Sequence, residues 1–469
     1  MKLIFTKLAN RRKQKYLGGK NMNYNGIDTL RPNLFKDVFP YSEIPKIKFN
    51  NIQLPMEIPE KIWITDTTFR DGQQSMSPMT VDQIVKIYDY LHRLDNGSGV
   101  IRQTEFFLYS PKDREAVEKC MDKGYEFPQI TSWIRAHKED FKLVKQMKIK
   151  ETGILMSCSD YHIFHKLKMN RKEAMNTYLS IAESALDSGI IPRCHFEDIT
   201  RADFFGFVAP LAKNLMKLSD KYNLPVKIRA CDTLGLGVSY MGVELPRSIP
   251  AIIHGLRYYC NVPSENIEWH GHNDFNAVVT NSTTTWLYGG SSVNTTLFGI
   301  GERTGNCPLE SMLFEYAQIK GTTEGMNLKI ISEIADYFEK ELGYSIPART
   351  PFVGSEFNVT RAGIHADGLL KDKEIYNSFD TEKILGSPPI VAVNPYSGLA
   401  GIAAWINGYF KLDGSNKIDK NDGRILPIKK WVDEEYANGR TSKIRNDELK
   451  DLVFRYIPNI LGNEETKAI

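Results

Sequence analysis

From residue 61 onward the apolar positions fall into a repeating rhythm. A short run rich in Ile, Val and aromatic residues is followed by a longer stretch in which apolar residues recur every three to four positions. The short runs predict strands at 62–67, 101–107, 128–133, 153–157, 193–197, 226–231, 267–270 and 292–298. Helical spacing fills the gaps, as in Val81, Ile84, Val85, Tyr88 and Leu91, or Leu211, Leu215, Met216 and Leu218. Thr80 and Asp82 after Pro78, and Leu309 and Glu310 after Pro308, look like helix starts. Eight β/α units match the dimension of a (β/α)8 barrel of about 250 residues; a doubly wound open sheet is the competing α/β architecture. The expected organisation is an N-terminal arm over 1–60, a barrel over 61–345 and a mostly helical C-terminal region over 346–469.

A barrel places its chemistry at the carboxyl ends of the strands, and polar residues collect there. Strand one leads to Arg70 and Asp71, strand two carries Glu105, and strand three leads to Arg135. Strand four leads to His162, strand five to Glu197, Asp198 and Arg201, and strand six to Asp232 and Thr233. Strand seven delivers His270 and His272, and strand eight a loop with Gly299, Gly301, Gly305 and Asn306. Residues i and i+2 of a strand share a face, so both imidazoles can address one ion. Asp274 is expected to open a helix over 275–287. Seen alone, such a histidine pair could equally be hydrogen-bonded in a core.

With Asp71 as the natural carboxylate, the pair makes an open metal site. Mixed nitrogen and oxygen ligands suit Mn²⁺, Zn²⁺, Fe²⁺ or Co²⁺ better than Mg²⁺, and Mn²⁺ is the first expectation. A 2-oxo acid could chelate such an ion, which would polarise the keto group while Arg70 stabilises the developing alkoxide. The plainer role for Arg70 is an ion pair with Glu105 or Glu197.

Composition adds mainly exclusions. A net charge of +3, with 25% charged and 42% hydrophobic residues, gives no electrostatic case for nucleic acid or membrane. No apolar run reaches the length of a membrane span. The six cysteines are scattered without a CxxC pair, which suggests buried thiols in a reducing, cytoplasmic setting. The first 20 residues are basic: a solvated arm is the preferred reading, with a mitochondrial transit peptide or a start at Met22 as alternatives.

Three motifs, DTTFRDGQQ at 66–74, HGHNDFNAVV at 270–279 and GIGERTGN at 299–306, resemble the signatures of the metal-dependent aldol and Claisen barrels. That family includes 2-isopropylmalate, homocitrate, citramalate and Re-citrate synthases and hydroxymethylglutaryl-CoA lyase. The resemblance covers roughly residues 60 to 405. It implies that Asp71, His270 and His272 bind a divalent metal with Asn306 close by, and that Arg70 is the electrophilic residue. It further implies that Gln74, Glu105 and Thr233 bind substrate and that Glu197 is the catalytic carboxylate of strand five. Gln73 departs from the pattern, where many members have an acidic residue. A loop of glycines after the last strand suits a phosphate-bearing acyl-CoA, here acetyl-CoA, at Gly299, Gly301 and Gly305. The lyase branch has a reactive cysteine ahead of the Gly-Asn pair; here Cys307 follows Asn306, which favours a synthase over a lyase.

Past the barrel, residues 357–368, with His365, and the stretch Glu374-Ile375-Tyr376 resemble the synthases' post-barrel motif. In that family the His and Tyr assist proton transfer in the partner subunit, which implies a homodimer with an exchanged C-terminal region. The rest of the chain, with helical pieces at 403–410 and on to 461, is too short for a leucine-sensing regulatory domain. The arm, residues 379–386 and residues 397–402 look most like the Re-citrate synthase branch, which implies acetyl-CoA plus oxaloacetate giving citrate. Homocitrate and 2-isopropylmalate synthesis are the runners-up. A dicarboxylate substrate needs a cation for its distal carboxylate, and Arg135, Arg201 and His162 are the candidates.

Overall fold

The computed structural model describes residues 26–412 and 414–460. Eight parallel strands close on themselves in sequence order: β1 (Trp63–Asp66), β2 (Ile101–Phe106), β3 (Gln129–Ile134), β4 (Glu151–Ser157), β5 (Ile191–Glu197), β6 (Lys227–Asp232), β7 (Ile267–Gly271) and β8 (Ser292–Thr295). β1 pairs with β8 from Trp63↔Ser292 to Asp66↔Thr295, which completes the ring. The fold is therefore the (β/α)8 barrel, and the open-sheet alternative falls.

Local chemistry explains the helices that return the chain. Thr80 and Gln83 form a capping box on Val81–Asp95, and Asn170 and Glu173 form one on Arg171–Asp187. Two expected bounds change near the functional face. β8 stops at Thr295 instead of 298, because Phe298 takes a positive φ of 57° inside a short 3-10 turn. The helix expected from 275 begins at Val278. Asn276 has φ 54°, and Asp274 forms an ion pair with Arg303 in place of starting the helix.

Residues 26–60 contain no regular helix or strand, as an irregular arm should. They bond to the barrel instead, with the Asn50 amide donating to the Gly242 carbonyl (2.8 Å) and the Glu244 amide to that of Lys48 (2.9 Å). The basic stretch within 1–25 lies outside the described residues.

The chain divides into two compact units at 327/328, earlier than the boundary expected at 345. The helix Ile330–Glu341 falls in the second unit, where the Ser332 hydroxyl donates to the Leu385 carbonyl (3.0 Å). That unit carries a two-stranded parallel ladder, β9 (Val359–Thr360) with β10 (Ile390–Val391). Its core is built by Ile402, Trp405 and Ile406 of the helix Leu399–Tyr409 with Val432, Leu449 and Val453 of two later helices. No helix among the described residues is long and apolar enough to cross a membrane. All six cysteines are buried and free.

Candidate active site

The turn after β1 is tight, with the amides of Arg70 and Asp71 both donating to the Thr67 carbonyl at 3.1 and 2.9 Å. It aims the Asp71 carboxylate back over the barrel mouth. His270 sits on β7 and His272 just past its end, and the period of two points both inward as expected. His270 Nε2 lies 3.5 Å from Asp71 Oδ2 and 3.3 Å from His272 Nε2. All three side chains are buried, and their ligand atoms lie within 4.8 Å of one another.

The donor set fits a divalent cation. Ligands bound at about 2.1 Å to one ion stand about 3 to 3.4 Å from each other, close to the 3.5 and 3.3 Å separations that His270 Nε2 makes with Asp71 and His272. His270 Nδ1 donates to Asn294 Oδ1 (2.7 Å), which fixes the tautomer and leaves the Nε2 lone pair facing the cluster. The buried Asn306 Oδ1 has no partner, while its amide nitrogen donates to Asp71 Oδ2 (2.7 Å). Burial lowers both histidines, His272 to about 4 with help from His270, so both are neutral and able to ligate near neutral pH. Burial alone would raise Asp71, but Arg70 and the two histidines overcome it and hold the carboxyl far below its usual range.

Arg70 combines both roles expected of it. Its Nε donates to Glu105 (2.9 Å) and its Nη1 to Asp71 (3.1 Å), and its guanidinium lies over the Trp133 ring. Glu105 continues into the barrel interior, meeting Arg229 Nη1 at 3.0 Å and Arg193 Nη1 at 3.4 Å. Burial would raise Glu105, yet Arg229, Arg70 and Arg193 bring it down to about 2. Beneath it, Glu268 bonds Arg229 Nε (2.5 Å), and Glu151 bonds Lys227 (2.6 Å) and Arg193. Sequence reasoning missed this network and the Asn294 support. The available signal was parity, since Arg193, Arg229 and Glu268 share the inward face with His195, Cys231 and His270.

At the ends of β4 to β6 a second cluster forms. Glu197 receives His162 Nδ1 (2.9 Å), Lys166 Nζ (2.8 Å) and the Ser157 hydroxyl. Burial pushes its carboxyl up, but His162 and Lys166 prevail and hold it at about 2. Arg201 grips Asp198 through Nε (2.9 Å) and Nη2 (2.8 Å), and the Asp198 amide donates to Thr233 Oγ1 (2.8 Å). Arg135 stands apart, paired with Asp140 and 62% exposed. Gln74 is exposed as well.

The glycines of the β8 loop have a steric explanation. A Cβ on Gly301 would meet Asn306 Oδ1 at 2.4 Å, and one on Gly305, whose φ is 89°, would meet the Gly299 carbonyl at 2.2 Å. The loop thus wraps closely around Asn306. In the second unit, His365 and Tyr376 are both exposed and their rings lie 4.2 Å apart between centroids, so the two post-barrel residues do come together.

Residues 61–337 match the HMGL-like family model. A citrate (Re)-synthase of Clostridium kluyveri is 68% identical over 93% of this chain and 96% of its own length. One from Syntrophus aciditrophicus is 51% identical over 93% of this chain and 70% of its own. A 2-phosphinomethylmalate synthase of Streptomyces hygroscopicus is 37% identical over 90% and 96%.

Proposed function

This chain belongs to the HMGL-like family, and from that premise we propose that it condenses acetyl-CoA with oxaloacetate to give citrate. The observation that carries the reading is the near full-length likeness to citrate (Re)-synthases.

Asp71, His270 and His272 would hold the cation, Mn²⁺ by our reading, with Asn306 beside it bonded to Asp71. When bound, the cation supplies Lewis-acid polarisation of the keto group. Arg70, anchored on Glu105 and Asp71, offers its remaining N–H groups to the oxygen on which charge develops. Thr233 presents its hydroxyl to the oxo acid's carboxylate. His162 and Arg201 lie together at the β4–β5 ends and are better placed than exposed Arg135 to meet the distal carboxylate. Glu105 anchors Arg70, Glu197 holds His162 and Lys166, and Asp198 holds Arg201. Gln74 borders the mouth, and the loop of Gly299, Gly301 and Gly305 receives the acyl-CoA.

The exposed His365–Tyr376 pair serves proton transfer in a second copy of the chain, as part of a homodimer with exchanged C-terminal regions. Buried, unpaired thiols suit a reducing cytoplasm. A steady-state assay with Mn²⁺, acetyl-CoA and a panel of 2-oxo acids tests the substrate. Turnover should be fastest with oxaloacetate, and no rate with it overturns the reading. Mixing Asp71→Ala with His365→Ala chains should restore activity if the dimer exchanges its sites.

A further inference from the structure

The arm does not simply cover the barrel; between residues 26 and 50 its polar contacts go to the segments that follow β4 and β6. The Asn33 amide donates to Asp160 Oδ2 (2.5 Å), immediately after β4. Asp160 is itself held by Arg171 through Nε (2.9 Å) and Nη2 (2.8 Å), and Arg171 and Asp160 are both fully buried. Next along the chain, the Tyr161 hydroxyl donates to the Leu34 carbonyl (2.8 Å), and Lys36 Nζ lies over the Tyr161 ring at 5.2 Å. Arg201 lies over the same ring at 4.1 Å. From Arg201 the contacts run to Asp198 and then, through the Asp198 amide, to Thr233 Oγ1.

A second grip comes from the other side of Thr233. Val38 and Phe39 of the arm form a small apolar core with Leu236, against which Phe35 and Leu234 also pack. Buried Arg247 ties this together, donating to the Leu236 carbonyl (2.8 Å) and to those of Pro45 (3.1 Å) and Lys46 (2.9 Å). The loop that carries Thr233 is therefore clamped by the arm at Leu234 and Leu236 and reached by it again through Tyr161.

We propose that residues 26–50 form a strap that fixes the Thr233 loop for the 2-oxo acid, and that Tyr161 is the positioning residue through which the strap acts on Arg201 and Thr233. The inference rests on the reading that Thr233 and Arg201 meet the oxo acid. Tyr161 touches no reacting atom; it orders the cation and the hydroxyl that do.

The test uses the full chain with Tyr161→Phe, which keeps the ring and loses the tether to Leu34, and Tyr161→Leu, which loses both. Losing the ring–guanidinium contact and the tether together should raise the KM for oxaloacetate on the order of tenfold in Tyr161→Leu, and losing the tether alone about threefold in Tyr161→Phe, with kcat and the KM for acetyl-CoA within about twofold. Hydrogen exchange without substrate should quicken at 198–203 and 233–237, while amides of β1 to β3 keep their protection. Unchanged exchange at those loops overturns the strap. So does quicker exchange with an unmoved oxaloacetate KM, since the coupling would then stop short of the substrate. If Tyr161→Leu loses protection throughout the barrel, Tyr161→Phe decides by the same two readouts. Absence of oxaloacetate turnover in the wild type would instead defeat the proposed reaction and leave the strap to the exchange measurement.

Discussion

Two buried clusters share the inside of this barrel and behave differently. In the deeper one, each charge faces an opposite charge: Arg193 meets Glu105, Glu151 and Glu268, and Arg229 meets Glu105 and Glu268. At the mouth, the Nε2 atoms of His270 and His272 converge at 3.3 Å, and Asn306 Oδ1 is left without a partner. The first cluster pairs its carboxylates with cations of its own; the second gathers three metal-type donors within 4.8 Å of one another. Burial and charge alone therefore do not mark a functional site. Donor atoms from three side chains that converge within reach of one ion do. Arg70 and Glu105 join the two clusters, so the lower one sets the orientation of the Arg70 guanidinium at the mouth.

The contrast can be broken most sharply at the mouth. Asp71→Ala should lower kcat/KM for oxaloacetate by at least about 1,000-fold, since a metal Lewis acid contributes several kcal/mol to the transition state. Its unfolding midpoint in urea should fall by less than that of Arg229→Met, because Arg70 keeps Glu105 as a partner, and an equal loss would show that Asp71 belongs to the structural cluster instead. Arg229→Met probes the lower cluster with the opposite signature. It leaves the buried carboxylates of Glu105 and Glu268 short of a partner, so denaturant unfolding should show a loss of about 3–5 kcal/mol. Stability close to wild type would mean that those carboxylates are neutral.

The convergence of Asp71, His270 and His272 was legible in the sequence because strand parity and short spacing encode it locally. His270 and His272 are two residues apart, Asp71 adjoins Arg70, and the barrel rhythm puts both pairs at strand ends. The lower cluster was not legible, because its pairs join residues on different strands and only the closed ring makes them neighbours. The Asp274 expectation failed for the same reason: Arg303, from the loop after β8, takes its carboxylate, and the helix starts at Val278. Likewise Arg135 fits the strand-end pattern, yet Asp140 draws it outward.

Smaller effects sharpen the boundary between the clusters. Asn294→Ala removes the acceptor that orients His270, and metal affinity should fall about 10- to 100-fold by calorimetric titration. An unchanged affinity would mean that the tautomer is fixed elsewhere. Glu310 offers the mildest test. It is a buried carboxyl that accepts the Phe298 amide (3.0 Å) at the start of the β8 loop, and burial raises it from 4.5 to about 7. A raised carboxyl contributes stability that is intact below about 4.5 and lost as pH climbs through about 7. Relative to Glu310→Gln, the wild type should therefore lose about 1 kcal/mol between pH 6 and 8.5. Parallel pH profiles for the two proteins would show that Glu310 is ionised throughout.

The most direct measurement is a Mn²⁺ titration of chelator-treated protein, with free ion followed by its electron paramagnetic resonance signal. One ion per chain should bind to the wild type, and binding should be lost in Asp71→Ala over the same concentrations. An isotherm shared by both proteins, or no binding by the wild type, would contradict a metal held by Asp71, His270 and His272.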